Sequence, residues 1–276
     1  MLQWCSNFEE DEEKRRIMTI YSDVSNYAPV CQLVEPLGSD RITAIAVKDD
    51  KVYSANRNGT IIESDLTNQI ALRTLQGFYV RQLCASGDRL IGNPTGWENQ
   101  LVEWNLFNGK IVRKITFEKP VMSIALQGSY LYTTHEDSSK IEKWDITTKC
   151  PIHLLSFEGH TKGIFSLTVD NNSRLYSGGE DLSLRAWNCD TGENLWTAQI
   201  NMYAWQITVL GQSIIFCTAD HSAYELDLKS HEITDHIRTR GGVLYSLTST
   251  NRYLIAGSRV EGGSLGRASI RVWKRF

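Results

Sequence analysis

The stretch SGGEDLSLRAWNCDTGENLW, from Ser177 to Trp196, decides how the chain is read. A Gly pair and an acidic turn lead into a polar–apolar alternation that ends on Trp187, and a second turn, CDTGE, follows at once. Alternation of this kind marks a β-strand with one buried face. Breaks rich in Gly, Asp and Asn on either side mark tight turns.

The stretch has relatives along the chain. KIEKWDITTKC (140–150), QLVEWNLFNGK (100–110) and ASIRVWKRF (268–276) alternate into a Trp in the same way. AYELDLKSH (223–231) and TIIESDLTN (60–68) repeat the pattern with Leu226 and Ser64 in the Trp place. Successive positions lie 40, 40, 43, 39 and 47 residues apart. A period near 40 with a Trp closing one strand points to a radial array of four-stranded sheets. In the fourth unit the strands are expected at 163–170, 173–179, 182–189 and 194–200, and no long helical pattern occurs in 28–276.

These motifs resemble the WD-repeat family of β-propellers, over roughly nine tenths of the chain by the repeat criterion. Only the fourth unit carries the family's full signature: Gly159-His160, then Ser177, Asp181 and Trp187. The resemblance implies that His160, Ser177, Asp181 and Trp187 form a hydrogen-bonded chain inside the blade. The residue types suit it, because an indole only donates, a carboxylate only accepts, and His and Ser do both. The Asp–Trp spacing is therefore read as a lock on a turn.

The expected fold is all-β: a propeller of four-stranded antiparallel blades, six in number, with seven or a partial extra blade as the alternative. Five units look complete, and the sixth lacks its outermost strand. APVCQLVEPL (28–37) can supply it, so that the two ends of the propeller share one blade and no raw edge is left. Two regions follow: a charged segment 1–27, read as a tail or partial blade, and the propeller, 28–276.

Composition narrows the function. Among 276 residues, 29 are basic and 32 acidic, a net charge of −3 that suggests neither a nucleic-acid nor a membrane partner. No apolar run reaches the roughly 18 residues of a membrane span, and the start lacks a secretory pattern. Six scattered cysteines without CxxC read as reduced thiols, so a cytoplasmic location is expected, with a nuclear one open. The six histidines form neither HxH nor HExxH, and GxSxG is absent. No metal, cofactor or catalytic residue is expected.

What remains is interaction. One channel-mouth position follows the first buried apolar residue of each inner strand: Thr43, Arg81, Met122, Phe165, Trp205 and Tyr245. A second lies in the turn after the second strand: Arg57, Glu136, Glu180, Asp220 and Arg259, with Trp97 on an insertion in the second unit. One arc is aromatic and acidic, the other holds the arginines. Aromatic faces and carboxylates attract cations, and Trp, Tyr and Arg carry most interface energy. The expected function is a non-catalytic scaffold within a multiprotein complex, binding a peptide or loop of a partner at this mouth through a basic segment. Two alternatives stand beside it: an assembly subunit whose propeller is completed by a partner strand or blade, and a hydrolase using the channel carboxylates.

Overall fold

A computed structural model describes residues 27–34, 42–75, 77–94, 99–218, 222–237, 244–260 and 267–275. The segment 1–26, Trp97 and Asp220 lie outside the described residues, as do the side chains of Tyr245 and Arg259.

Twenty-four strands make six four-stranded antiparallel sheets. The first strand, β1 (Tyr27–Val34), stands apart from its neighbours in sequence. Blade 1 holds β2 (Ile42–Lys48), β3 (Lys51–Asn56), β4 (Ile61–Asp65) and β5 (Ile70–Leu75). Blade 2 holds β6 (Gln82–Ser86), β7 (Arg89–Asn93), β8 (Gln100–Asn105) and β9 (Ile111–Thr116). Blade 3 holds β10 (Val121–Gln127), β11 (Tyr130–His135), β12 (Ile141–Asp145) and β13 (Ile152–Phe157). Blade 4 holds β14 (Ile164–Val169), β15 (Arg174–Gly179), β16 (Ser183–Asn188) and β17 (Asn194–Gln199). Blade 5 holds β18 (Gln206–Leu210), β19 (Ser213–Cys217), β20 (Ala223–Asp227) and β21 (Ile233–Ile237). Blade 6 joins β22 (Leu244–Ser249), β23 (Tyr253–Val260) and β24 (Arg267–Arg275) to β1, in the order β1-β24-β23-β22.

The closure is a register. Leu33 faces Ile270 and Val34 faces Ser269 across the β1–β24 ladder. The edge that a partner strand would take in an incomplete propeller is thus filled by the chain itself. Pro29 fits because β1 is outermost and needs no donor on its solvent side.

The Trp positions are equivalent. Trp104 faces Leu90, Trp144 faces Leu131 and Trp187 faces Leu175, while Leu226 faces Ile214 and Ser64 faces Val52. In blades 1 to 5 a bulge immediately precedes this position in the pairing of the third with the fourth strand. An extra residue in one strand of a pair bends it and tightens its twist, and blades 1 to 5 all use that device. Below it, an Asp or Asn caps the turn through its side-chain oxygen: Asp65, Asn105, Asp145, Asn188 and Asp227 each accept turn N–H groups.

Burial comes from stacking neighbouring blades. Tyr176 and Leu184 of blade 4 pack with Ile207 and Phe216 of blade 5, and Phe157 of blade 3 packs with Trp187 of blade 4. Around the channel, side chains also bond the next blade's main chain. Thr43 donates to the Val80 carbonyl at 2.7 Å, Asn93 to Val121 at 2.8 Å, Thr134 to Ile164 at 3.2 Å and Ser166 to Ala204 at 3.1 Å. These bonds satisfy main-chain acceptors that an inner strand, paired on one side only, would leave open.

Candidate functional site: the aromatic mouth of the channel

Four of the six inner strands begin with a second bulge. It falls between Ile42 and Ala44, Val121 and Ser123, Ile164 and Ser166, and Leu244 and Ser246, which places Thr43, Met122, Phe165 and Tyr245 at the extra position. Arg81 and Trp205 reach the same place without strand pairing. Their N–H groups bond Asn93 and Cys217 carbonyls at 2.9 Å, residues that also face Gln82 and Gln206. The six positions stand at the same end of the inner strands, and at four of them the bulge breaks the sheet's alternation.

Among the described residues, one part of this ring gathers into a surface. Phe165 and Trp205 stack with centroids 4.7 Å apart and planes 21° from parallel. Tyr203 closes the group at 6.2 Å from Phe165 and 6.4 Å from Trp205. Trp205 remains 43% exposed and Tyr203 41%. Such stacking contributes about 0.5–1.5 kcal/mol per pair beyond burial, enough to hold the rings in place while leaving faces open. Tyr203 has no counterpart in the sequence reading, although its place two residues before Trp205 in NMYAW is a usable signal.

Two of the expected acids stand at the starts of inner strands. Glu180 N–H bonds the Gly163 carbonyl at 2.8 Å, and its Oε2 lies 3.8 Å from where a Cβ on Gly163 would stand, next to the Ile164–Phe165 bulge. Glu136 N–H bonds Pro120 at 3.1 Å, at the start of the strand that carries Met122. Arg57 and Arg81 are exposed on the opposite arc. Arg259 differs from expectation: it is not in a turn but within β23, facing Ala268, because β23 and β24 run on as long paired strands. Thr43 is buried and spent on carbonyl bonds.

Away from the mouth, blade 4 is locked by side chains. Trp187 Nε1 donates to Ser177 Oγ at 2.8 Å, Ser177 meets His160 Nε2 at 2.7 Å, and His160 Nδ1 meets Asp181 at 2.9 Å. A neutral imidazole protonated at Nδ1 uses every donor: indole to hydroxyl, hydroxyl to Nε2, Nδ1–H to carboxylate. Burial pushes the His160 pKa down, and Asp181 only partly pulls it back up. Burial would raise the Asp181 carboxyl, but bonds from Ser183, His160 and the Thr161 N–H outweigh it and hold it low. Gly179 is required here, since a Cβ would lie 2.9 Å from His160 Nδ1 and 3.0 Å from Asp181 Oδ1.

Blade 3 builds a similar lock from other positions. Trp144 Nε1 donates to Thr133 Oγ1 at 2.8 Å, and Thr133 meets His135 Nε2 at 2.9 Å. His135 occupies the place of Gly179, so the imidazole arrives from the second strand instead of the preceding loop.

Among the described residues, one cavity opens toward the other face of the channel. Its volume of about 1110 Å³ is lined by the far halves of the inner strands and by turns such as Lys48–Asp50 and Asp170–Asn172. Among the described residues, Thr43, Arg81, Met122, Phe165 and Trp205 do not line it. Among the described residues no group of three or more His, Cys, Asp or Glu is arranged to hold a metal ion, and no helix is long and apolar enough to cross a membrane.

No protein-family model matches the chain. Over 111 residues, 40% of its length, the chain is 29% identical to eukaryotic translation initiation factor 3 subunit I of Bombyx mori. The matched stretch spans 30% of that relative's length.

Proposed function

We propose, from the premise that this chain is a six-bladed WD-repeat β-propeller, that it is a non-catalytic subunit-type scaffold in a multiprotein assembly. Its working surface is the mouth carrying Phe165, Tyr203 and Trp205, and its ligand is a basic peptide or loop of a partner protein. The similar protein is a translation initiation factor subunit, which supports the assembly role and a cytoplasmic setting.

The observation that carries the site is the stacked Phe165–Trp205 pair at a bulge, exposed yet held. A partner's Lys or Arg side chain would lie on the free indole face, and Glu180 would supply the opposite charge. Rings fixed beforehand lose little freedom on binding, so more of the contact energy becomes affinity. Asp181 is engaged by His160, Ser183 and Thr161 and is not available as a second acid for hydrolysis.

The test is fluorescence anisotropy with a short Lys/Arg-rich peptide and its Glu/Asp counterpart. The basic peptide should bind more tightly, and Trp205→Ala should cost more than about 1 kcal/mol with the melting temperature nearly unchanged. Equal affinity of the variant and the wild type removes the site.

A further inference from the structure

The outer rim repeats as closely as the inner mouth, and one residue breaks the repeat. After each capping Asp or Asn in blades 1 to 5 comes an inward residue and then an exposed one: Thr67, Phe107, Thr147, Asp190 and Lys229. Four are polar. The fifth, Phe107, is 90% exposed.

The turn that carries it is pinned. Asn105 Oδ1 accepts from the N–H groups of Phe107 at 3.0 Å and Asn108 at 3.1 Å, and Gly109 N–H reaches the Asn105 carbonyl at 2.8 Å. Arg73 of blade 1 donates to the carbonyls of Leu106 and Phe107. A loose loop could fold an aromatic back onto the protein; this one is held in water.

Charge singles out the same rim. Residues 106–119 hold four basic residues and one acidic, whereas the corresponding stretch of blade 4, residues 189–201, holds two acidic and none basic. Arg113 is committed to Glu103 at 2.7 Å and to the main chain of blade 3. Lys110 and Lys114 are exposed, and neither has an acidic partner among the described residues. Between them Val112 is 57% exposed.

We propose that this rim, from Phe107 to Lys114, is a second docking surface, for an acidic protein segment carrying an apolar side chain that covers Phe107. RNA fits less well. Two lysines without acidic partners, one of them (Lys114) lying 5.7 Å over the Phe78 ring, fall short of the basic stripe that phosphate-driven binding needs, and Val112 offers nothing to a phosphate. The surface is separate from the aromatic mouth and stands or falls independently of it.

The experiment measures binding of the full chain to three labelled probes: a short Glu/Asp-rich peptide with a central Leu-Phe pair, the same peptide with Lys for the acids, and oligouridylate. The acidic peptide should bind most tightly. Phe107→Ala and Lys110→Glu/Lys114→Glu should each weaken it by about tenfold, and Trp205→Ala should leave it unchanged. Both substitutions are at exposed positions, and equal melting temperatures would confirm that the fold is intact. No binding of the acidic peptide, equal or tighter binding of the basic peptide or the oligonucleotide, or undiminished affinity in Phe107→Ala overturns the proposal.

Discussion

Blade 4 and blade 1 have the same strand order and the same bulges, but only one of them contains a polar lock. In blade 4 an indole, a hydroxyl, an imidazole and a carboxylate are joined end to end. In blade 1 the Trp place is Ser64, and the backbone still turns through the bulge before it. Blade 3 lies between them, with an imidazole delivered from a different position. Blade 2 puts Gly92 where Ser177 would be, and the Trp104 ring fills the space, 2.9 Å from where a Cβ would stand. What the blades share is register and bulge, while the lock is one of several ways to fill and satisfy the interior. The lock therefore stabilises its own blade and does not define the ring.

Two substitutions put that contrast at risk. The largest effect is expected at the indoles. Trp187→Ala should lower the unfolding free energy by about 3–5 kcal/mol, the range for a fully buried aromatic, and it also removes the donor to the Ser177 oxygen. Trp144→Ala should cost less, because that ring is only half-buried. Urea unfolding of the two variants checks the order, and an equal or larger loss in Trp144→Ala would contradict it.

A smaller effect is expected from pH. His160 has a folded pKa below its unfolded value of roughly 6.5, so the unfolded chain binds more protons in that window. Its contribution is present above about pH 6.5 and is lost as the pH falls toward the depressed folded value. Protonation makes Nε2 a donor facing Ser177, and the hydroxyl loses its acceptor. His160→Gln should be less stable than wild type at neutral pH, and the gap should narrow on acidification. A gap that widens as the pH falls would contradict the neutral-imidazole assignment.

Much of this was legible in the chain. The spacing of Trp104, Trp144 and Trp187 gives the blades, and the missing outer strand of the sixth blade gives the closure by β1. The lock residues His160, Ser177, Asp181 and Trp187 are readable because their order along the chain is fixed by the motif. Three things were not. His135 does a similar job from another position, which only the Thr133 register reveals. Arg259 falls in a strand because the β23–β24 ladder continues past the expected turn as far as Val260 and Arg267. The contacts between blades pair distant residues through space: Arg113 reaches the blade 3 turn, Lys143 reaches Cys189, and Trp196 stacks on His231 at 4.5 Å.

Amide hydrogen exchange of the full chain, with and without a saturating Lys/Arg-rich peptide, tests the central claim most directly. Added protection confined to residues 163–165, 180 and 201–206 is the predicted result. Protection centred on the rim at 105–114, on the opposite mouth around Lys48–Asp50 and Asp170–Asn172, or nowhere would contradict it.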